Sequence, residues 1–300
     1  MKILDLTNLE NSEIKYKISQ FPDSQQSTSI VVDFDADRIL IKSRLSSFKD
    51  LELIICAVQD LRNRWKGEIH LFTPYFLGAR SDRAFQYDGL HYLKQVICPI
   101  INSLELDSII ILDPHSNVLE GCLNNFSSYY SHNFYTRVFG DLGFKHEKIV
   151  LVAPDAGAYK RVEKVQKSWG SDIITCNKTR NLSTGEITGL ELNWGMDQGD
   201  KTFVIVDDIC DGGRTFEEVA KAIRKSYPSK KKNPIILVVT HGIFSKGYTL
   251  KGIDKIYTTN SFKEMEKNEY FNNSFKEMEK NEYFNVYNIF EDTVMWYGLC

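Results

Sequence analysis

Short apolar runs rich in valine and isoleucine alternate along the chain with longer segments whose apolar residues recur every three or four positions. This alternation predicts parallel strands joined by crossover helices. The predicted strands are Glu68–Thr73, Ser108–Leu112, Lys148–Ala153, Asp172–Cys176, Thr202–Val206, Pro234–Thr240 and Lys255–Thr258. The predicted helices are Ser47–Trp65, Asp82–Leu104, Asn117–Phe126, Gly157–Trp169 and Arg214–Lys225. Lys15–Leu45 alternates with a period of two instead, which predicts an antiparallel meander with IVVDF and RILIK as its clearest strands. The sequence NSFKEMEKNEYFN at 260–272 is repeated without change at 273–285. A single tandem copy is not a solenoid, and an added surface loop or helical turn is the expectation.

Composition narrows the class without changing this picture. The chain has 300 residues, of which 42% are hydrophobic and 26% charged, the profile of a globular protein of one large or two smaller domains. We expect two, at 1–135 and 136–300. The net charge of −3 and the scattering of basic residues, apart from Lys230–Lys232, argue against a nucleic-acid partner. No stretch approaches the roughly 20 apolar residues of a membrane span, and MKILDLTNLENSE lacks a signal-peptide layout, so a cytoplasmic protein is expected. The six cysteines form no CxxC pair, which predicts neither a zinc site nor a disulfide framework. Carboxylates beside Cys210 would raise its thiol pKa and weaken it as a nucleophile.

The densest chemistry lies in Phe203–Thr215, reading FVIVDDICDGGRT. An apolar strand ends in Asp207 and Asp208, a third carboxylate follows at Asp211, and Gly212, Gly213, Arg214 and Thr215 open a helix. Backbone N–H groups at that helix start, with the Thr215 hydroxyl, suit a phosphate, and the glycines allow close main-chain approach. The carboxylates repel a phosphate and suit sugar hydroxyls, directly or through a hydrated magnesium ion. Together they describe a site for a phosphorylated ribose at the carboxyl end of a strand.

Other segments carry weaker signals when read alone. Arg80, Asp82 and Arg83 follow a strand and offer two guanidiniums that can fork onto phosphates, or a surface salt-bridge cluster. Asp113, His115 and Asp155 follow strand ends, where metal-ligating and purely structural roles both fit. Lys178 and Arg180 fall in the polar stretch CNKTRNLSTGE, which predicts a mobile loop after a strand.

VIVDDICDGGRT resembles the ribose-5-phosphate loop of the type I phosphoribosyltransferase fold. TPYFLGARSDRAF at 73–85, ILDPHSN at 111–117, VAPDAGAYKR at 152–161, NKTR at 177–180 and THGIFS at 240–245 stand in the order found in ribose-phosphate pyrophosphokinases. The resemblance runs from about Phe21 to Ser245. It implies two phosphoribosyltransferase-like α/β domains, each a mainly parallel sheet flanked by helices. It implies a Mg2+-dependent diphosphokinase that uses ATP and a ribose 5-phosphate-type acceptor. By the same resemblance Phe21, Asp23, Gln25, Arg80, Asp82 and Arg83 belong to the ATP site. His115 and Asp155 serve the metal, with Asp113 as a candidate behind them. Lys178 and Arg180 close over the transferred phosphates, and Asp207, Asp208 and Asp211 through Thr215 hold the ribose phosphate. An adenine pocket shared across a subunit interface implies a homo-oligomer.

The chain also departs from the pattern. The phosphate loop of the family usually reads aspartate, threonine, glycine, glycine, threonine, whereas here Gly212 replaces a hydroxyl and Arg214 adds a guanidinium. Gln25 stands where a glutamate is usual, and Pro114 where leucine is. These changes leave open a larger 5-substituted acceptor such as ADP-ribose. A phosphoribosyltransferase and a non-catalytic regulatory relative are the remaining readings. Phe21–Gln25, Arg80–Arg83 and His115 count against the first, and the presence of Lys178, Arg180, His115 and Asp155 against the second.

Overall fold

The computed structural model describes residues 1–84, 89–129, 132–180, 187–193, 199–227, 233–264 and 283–290. It divides into two compact units, one of Met1–Tyr130, Ser261–Lys263 and Asn288–Cys300, the other of Ser131–Asn260 and Glu264–Tyr287.

The first unit is built on a parallel sheet of β1 (Lys2–Asp5), β4 (Arg38–Lys42), β5 (Glu68–Thr73), β6 (Ser108–Leu112) and β7 (Phe126–Tyr129), in the order β1-β4-β5-β6-β7. Alternation sends Ile39, Ile41, Ile69, Leu71, Ile109 and Ile111 to one core, where they meet Leu51, Ile54, Ala57, Val58 and Leu61 of helix α1 (Phe48–Arg64). Leu40, Phe72, Ile110 and Leu112 are buried too, so both faces are covered, as parallel sheets require. A capping box between Ser47 and Asp50 fixes the start of α1. The short helices α2 (Cys98–Asn102) and α3 (Val118–Cys122) complete the crossovers. Near the other end of the chain, the carbonyl of Phe290 accepts from the buried Lys42 ammonium at 3.0 Å.

An antiparallel hairpin, β2 (Tyr16–Gln20) and β3 (Gln26–Ile30), stands apart from this sheet. Side chains of α1 serve its inner edge: the Ile30 N–H donates to Asp60 at 2.7 Å and the Gln26 N–H to Glu52 at 3.1 Å. The expected meander is therefore only partly realised. IVVDF leaves the ladder after Ile30, and RILIK is a buried parallel strand between β1 and β5, because three consecutive apolar side chains need cover on both faces.

The second unit carries seven strands in the order β10-β9-β8-β11-β12-β13-β14. They are β8 (Ile149–Ala153), β9 (Asp172–Arg180), β10 (Ile187–Asn193), β11 (Thr202–Cys210), β12 (Ile235–Gly242), β13 (Lys255–Thr259) and β14 (Phe284–Tyr287). All neighbours are parallel except β9 and β10. Helices α4 (His132–Asp141), α5 (Ala156–Trp169) and α6 (Arg214–Ser226) flank the sheet. Phe216, Val219, Ala220 and Ile223 of α6 pack on Phe203, Ile205, Ile235, Leu237 and Val239. Burying each such side chain, Ala220 apart, contributes about 1.5–3 kcal/mol. The fold class is therefore α/β, with mainly parallel sheets flanked by helices.

Three expectations change. The helix expected over Asp82–Leu104 is realised only from Leu93 to Asn102, while residues 85–88 lie outside the described residues. The expected helix Asn117–Phe126 shortens because Phe126 opens β7. The duplication lies outside the described residues over 265–282, but its two ends are not surface loop. Ser261 is buried and Phe262 meets Tyr75 edge-on at 5.0 Å, while Phe284 is buried in β14 against Phe244 and Tyr248. Among the described residues no helix is long and apolar enough to cross a membrane.

Candidate active site

Strand β11 lies between β8 and β12 and outruns β8: pairing with β8 stops at Ile205, whereas pairing with β12 continues to Cys210. Asp207 and Asp208, expected in a loop, are therefore strand residues whose backbone is held by one neighbour. The chain then turns through Asp211 and Gly212 to Gly213, whose φ of 76° is left-handed, and α6 starts at Arg214. Among the described residues no side chain caps this helix, so its first N–H groups are free of the usual internal competitor for an anion. Arg214 is 83% exposed and pairs with Glu218 at 2.8 Å, one turn along the same helix. Such an exposed pair contributes little stability and is easily exchanged for a ligand.

Two adjacent carboxylates in a nearly closed site need a countercharge, and Arg161 on α5 supplies it. Its Nη1 lies 3.3 Å from Asp207 Oδ1 and 3.4 Å from Asp208 Oδ1, with side-chain exposures of 14%, 15% and 5% for the three residues. Burial, then the charge of Asp208, push the Asp207 carboxyl well above the usual range, against the opposing pull of Arg161, and Asp155 adds to the rise. The same strand end is braced from α4 by Tyr135, whose hydroxyl donates to the Asp207 carbonyl at 3.0 Å and also meets Thr240. Asp155 is the N-cap of α5, accepting from the Ala158 N–H at 3.1 Å. Burial, then Asp207 and Asp211, raise the Cys210 thiol far above its ordinary value, as its acidic neighbours imply.

The segment after β12 folds against this loop. The N–H groups of Ile243 and Phe244 donate to the Cys210 carbonyl at 2.8 and 3.1 Å, and Ser245 Oγ donates to Asp211 Oδ1 at 2.5 Å. Lys178 and Arg180, expected in a loop, lie on the backbone of β9, where Lys178 pairs with Leu190 and Arg180 with Ile187 of β10. The polar stretch extends a strand because an antiparallel partner supplies hydrogen bonds that sequence polarity alone does not reveal.

In the first unit, Phe21–Gln25 form the tip of the β2–β3 hairpin. The Phe21 N–H donates to the Gln25 carbonyl at 2.9 Å, and the Gln25 N–H donates to Asp23 Oδ1 at 3.1 Å. This turn leaves the Phe21 ring 52% exposed. Arg80 and Arg83 are exposed and Asp82 half-buried, just after the turn at Gly78. Asp113 is buried at the end of β6 with a left-handed φ of 45° directly before Pro114. A non-glycine residue rarely holds that conformation, and stored strain of this kind concentrates at functional sites. His115 follows, exposed. Among the described residues no three His, Cys, Asp or Glu side chains form a cluster that would hold a metal ion. Magnesium needs less, since it keeps several waters and binds through one or two carboxylates, which the Asp207–Asp208 end of β11 offers.

A phosphoribosyl transferase domain model matches residues 136–280. The chain is 25% identical over 262 residues to the ribose-phosphate pyrophosphokinase of Sulfurisphaera tokodaii, covering 84% of this chain and 85% of that protein. It is 26% identical over 263 residues to the ribose-phosphate pyrophosphokinase of Vibrio cholerae, covering 83% and 80%. Over most of its length the chain is similar to ribose-phosphate pyrophosphokinases. The crystal structure of phosphoribosylpyrophosphate synthetase from Mycobacterium smegmatis matches with a TM-score of 0.71 over 98% of each chain at 17% identity, which shows the shared fold.

Within the loop the two glycines differ in what holds them. Gly213 is demanded by its backbone, whereas Gly212 has a negative φ and only ordinary contacts around it. Arg161 was not singled out in the sequence, although it ends the VAPDAGAYKR segment. The signal was one basic residue two turns into an amphipathic helix, and nothing short of the register between α5 and β11 assigns it to the acidic pair.

Proposed function

We propose that this enzyme transfers the diphosphate of ATP to the C1 hydroxyl of ribose 5-phosphate, giving phosphoribosyl diphosphate and AMP. The observation that carries this reading is the end of β11, where the Asp207–Asp208 pair and the uncapped start of α6 lie one tight turn apart in a chain aligned over most of its length with ribose-phosphate pyrophosphokinases. The acids suit ribose hydroxyls and the helix start suits the 5-phosphate. The C1 oxygen attacks the β-phosphorus, the bond from that phosphorus to the oxygen bridging the α-phosphorus breaks, and AMP leaves with the electron pair. The hydroxyl proton passes to solvent.

The division of labour follows the two sheets. In this reading residues 1–135 receive ATP: Phe21 stacks on the base, Asp23 accepts from the exocyclic amine, Gln25 lines the same turn, and Arg80, Asp82 and Arg83 serve the phosphates. Residues 136–300 hold the ribose phosphate through Asp207, Asp208, Asp211, Gly212, Gly213, Arg214 and Thr215. Lys178 and Arg180 supply positive charge to the transferred group. Mg2+, with His115 and Asp155 as its protein partners and Asp113 behind them, would neutralise charge on the phosphate oxygens. The exposed hairpin tip fits an adenine pocket completed by a second copy, hence a homo-oligomer.

A second reading, ADP-ribose as acceptor, is favoured by Arg214. Its exposed pairing with Glu218 leaves a guanidinium at the rim of the loop, where a second phosphate would lie. One experiment tests both. The chain is incubated with ATP, Mg2+ and either ribose 5-phosphate or ADP-ribose, and the product mass and AMP are followed. Gain of a diphosphate by one acceptor with matching AMP identifies it, and AMP release with neither rejects the reaction.

A further inference from the structure

Gly212 puts no side chain toward the space above the phosphate loop, yet that space is not empty. Lys246 lies there, with Cδ, Cε and Cγ at 3.4, 3.5 and 3.7 Å from the point a Cβ on residue 212 would occupy. Lys246 is held in place by its backbone. Phe244 and Gly247 both have left-handed φ, 48° and 90°, and the Gly247 N–H closes a turn on the Phe244 carbonyl at 3.0 Å. Ser245 and Lys246 are the two central residues of that turn. Ser245 latches to Asp211, and Ile243 and Phe244 bond to the Cys210 carbonyl, so the turn is fastened to the loop at two points. Among the described residues the exposed Lys246 ammonium makes no ion pair.

We propose that Lys246 binds the 5-phosphoryl group of the acceptor, supplying across the turn the donor that Gly212 does not carry. The reach is short: the stem already crosses the loop, and a compact ammonium with three donors is suited to a phosphate oxygen. Arg214 does not fill this place, since its guanidinium points along α6 to Glu218. Gly212 and Lys246 are then a coupled pair. A Cβ at 212 would rest in ordinary van der Waals contact with the lysine stem, and the lysine makes a side-chain donor at 212 unnecessary. The inference rests on the diphosphate-transfer reading only in placing the 5-phosphoryl group at this loop, and that group is common to ribose 5-phosphate and ADP-ribose.

The test compares the full chain with Lys246→Ala, Lys246→Arg, and Lys246→Ala combined with Gly212→Thr, each with both acceptors. Lys246→Ala is expected to raise the acceptor KM about tenfold or more, the scale of a lost charge-assisted bond, with the ATP KM within about twofold. Lys246→Arg should keep the acceptor KM within a few-fold, and the added threonine should recover part of the loss. A penalty confined to ribose 5-phosphate assigns the contact to a terminal phosphate, and a penalty on both assigns it to the phosphoryl they share. An acceptor KM unchanged in Lys246→Ala on both arms overturns the proposal while leaving the reaction intact. Should the parent release no AMP with either acceptor, the reaction reading falls, and calorimetric titration with ribose 5-phosphate decides the residue. Weaker binding by Lys246→Ala supports it, and equal binding, or none by the parent, overturns it.

Discussion

A Cβ at residue 213 would stand 2.2 Å from Cδ2 of Leu250, so any residue but glycine in the turn between β11 and α6 forces the leucine to shift. The left-handed φ of 76° adds its own cost for an L side chain. Gly213→Ala is therefore expected to lose roughly 2–4 kcal/mol from strain and overpacking together. It should weaken acceptor binding beyond what misfolding explains, because the N–H groups of the loop move with the turn. Denaturant unfolding and acceptor KM measured on the same preparation check both. Gly212→Ala serves as the control, with little change in stability.

Arg161 stabilises the site by what it prevents. Removing it takes away the guanidinium that both Asp207 and Asp208 contact, a loss that costs about 3 kcal/mol or more in a mostly buried pair. Arg161→Ala should lower the unfolding midpoint accordingly and lose acceptor binding, while Arg161→Lys recovers part of the stability but not the two-carboxylate geometry. An Arg161→Ala protein as stable as the parent would show that the guanidinium does not balance the acids.

The Asp207 carboxyl carries a pH signature. Burial and Asp208 raise its pKa in the folded chain, so its neutral form is the one the fold prefers. The stability it permits is fully present below the ordinary carboxylate range and is lost as pH rises through the raised value. Asp207→Asn cannot ionise, so it should melt at the parent temperature in acid and several degrees above it at neutral pH and beyond. Calorimetric melts across that range in chelator-containing buffer read the difference. The same substitution should abolish turnover, a trade of function for stability.

What was legible beforehand follows from what a single sequence can encode. Strands such as Ser108–Leu112 and Ile149–Ala153 announce themselves because both faces are buried and, Ser108 apart, every side chain is apolar. The loop at Asp207–Thr215 was legible because its chemistry is local: acids, glycines and a helix start are adjacent in sequence. Arg161, Tyr135 and Lys246 were not, since each reaches the loop from a different element, and only packing brings them there. Strand ends were misjudged for the same reason. β9 runs to Arg180 and β11 to Cys210 because neighbouring strands continue beside them, not because Asn177–Arg180 or Asp207–Cys210 favour strand by composition.

Lys178 offers the sharpest division between binding and catalysis. On β9 its backbone is paired with Leu190 of the neighbouring strand β10, so truncating its side chain leaves the main-chain ladder intact. In the proposed reaction its charge meets oxygens that gain negative charge as AMP departs, an interaction stronger in the transition state than with bound ATP. Lys178→Ala should thus lower kcat by roughly 100- to 1,000-fold, the scale of one lost transition-state donor, while the ATP KM changes only a few-fold. Initial rates of AMP formation over a range of ATP concentrations separate the two effects. If the ATP KM rises with kcat unchanged, Lys178 contributes ground-state binding alone. The charge stabilisation would then fall to Arg180, where the same measurement should show the kcat loss.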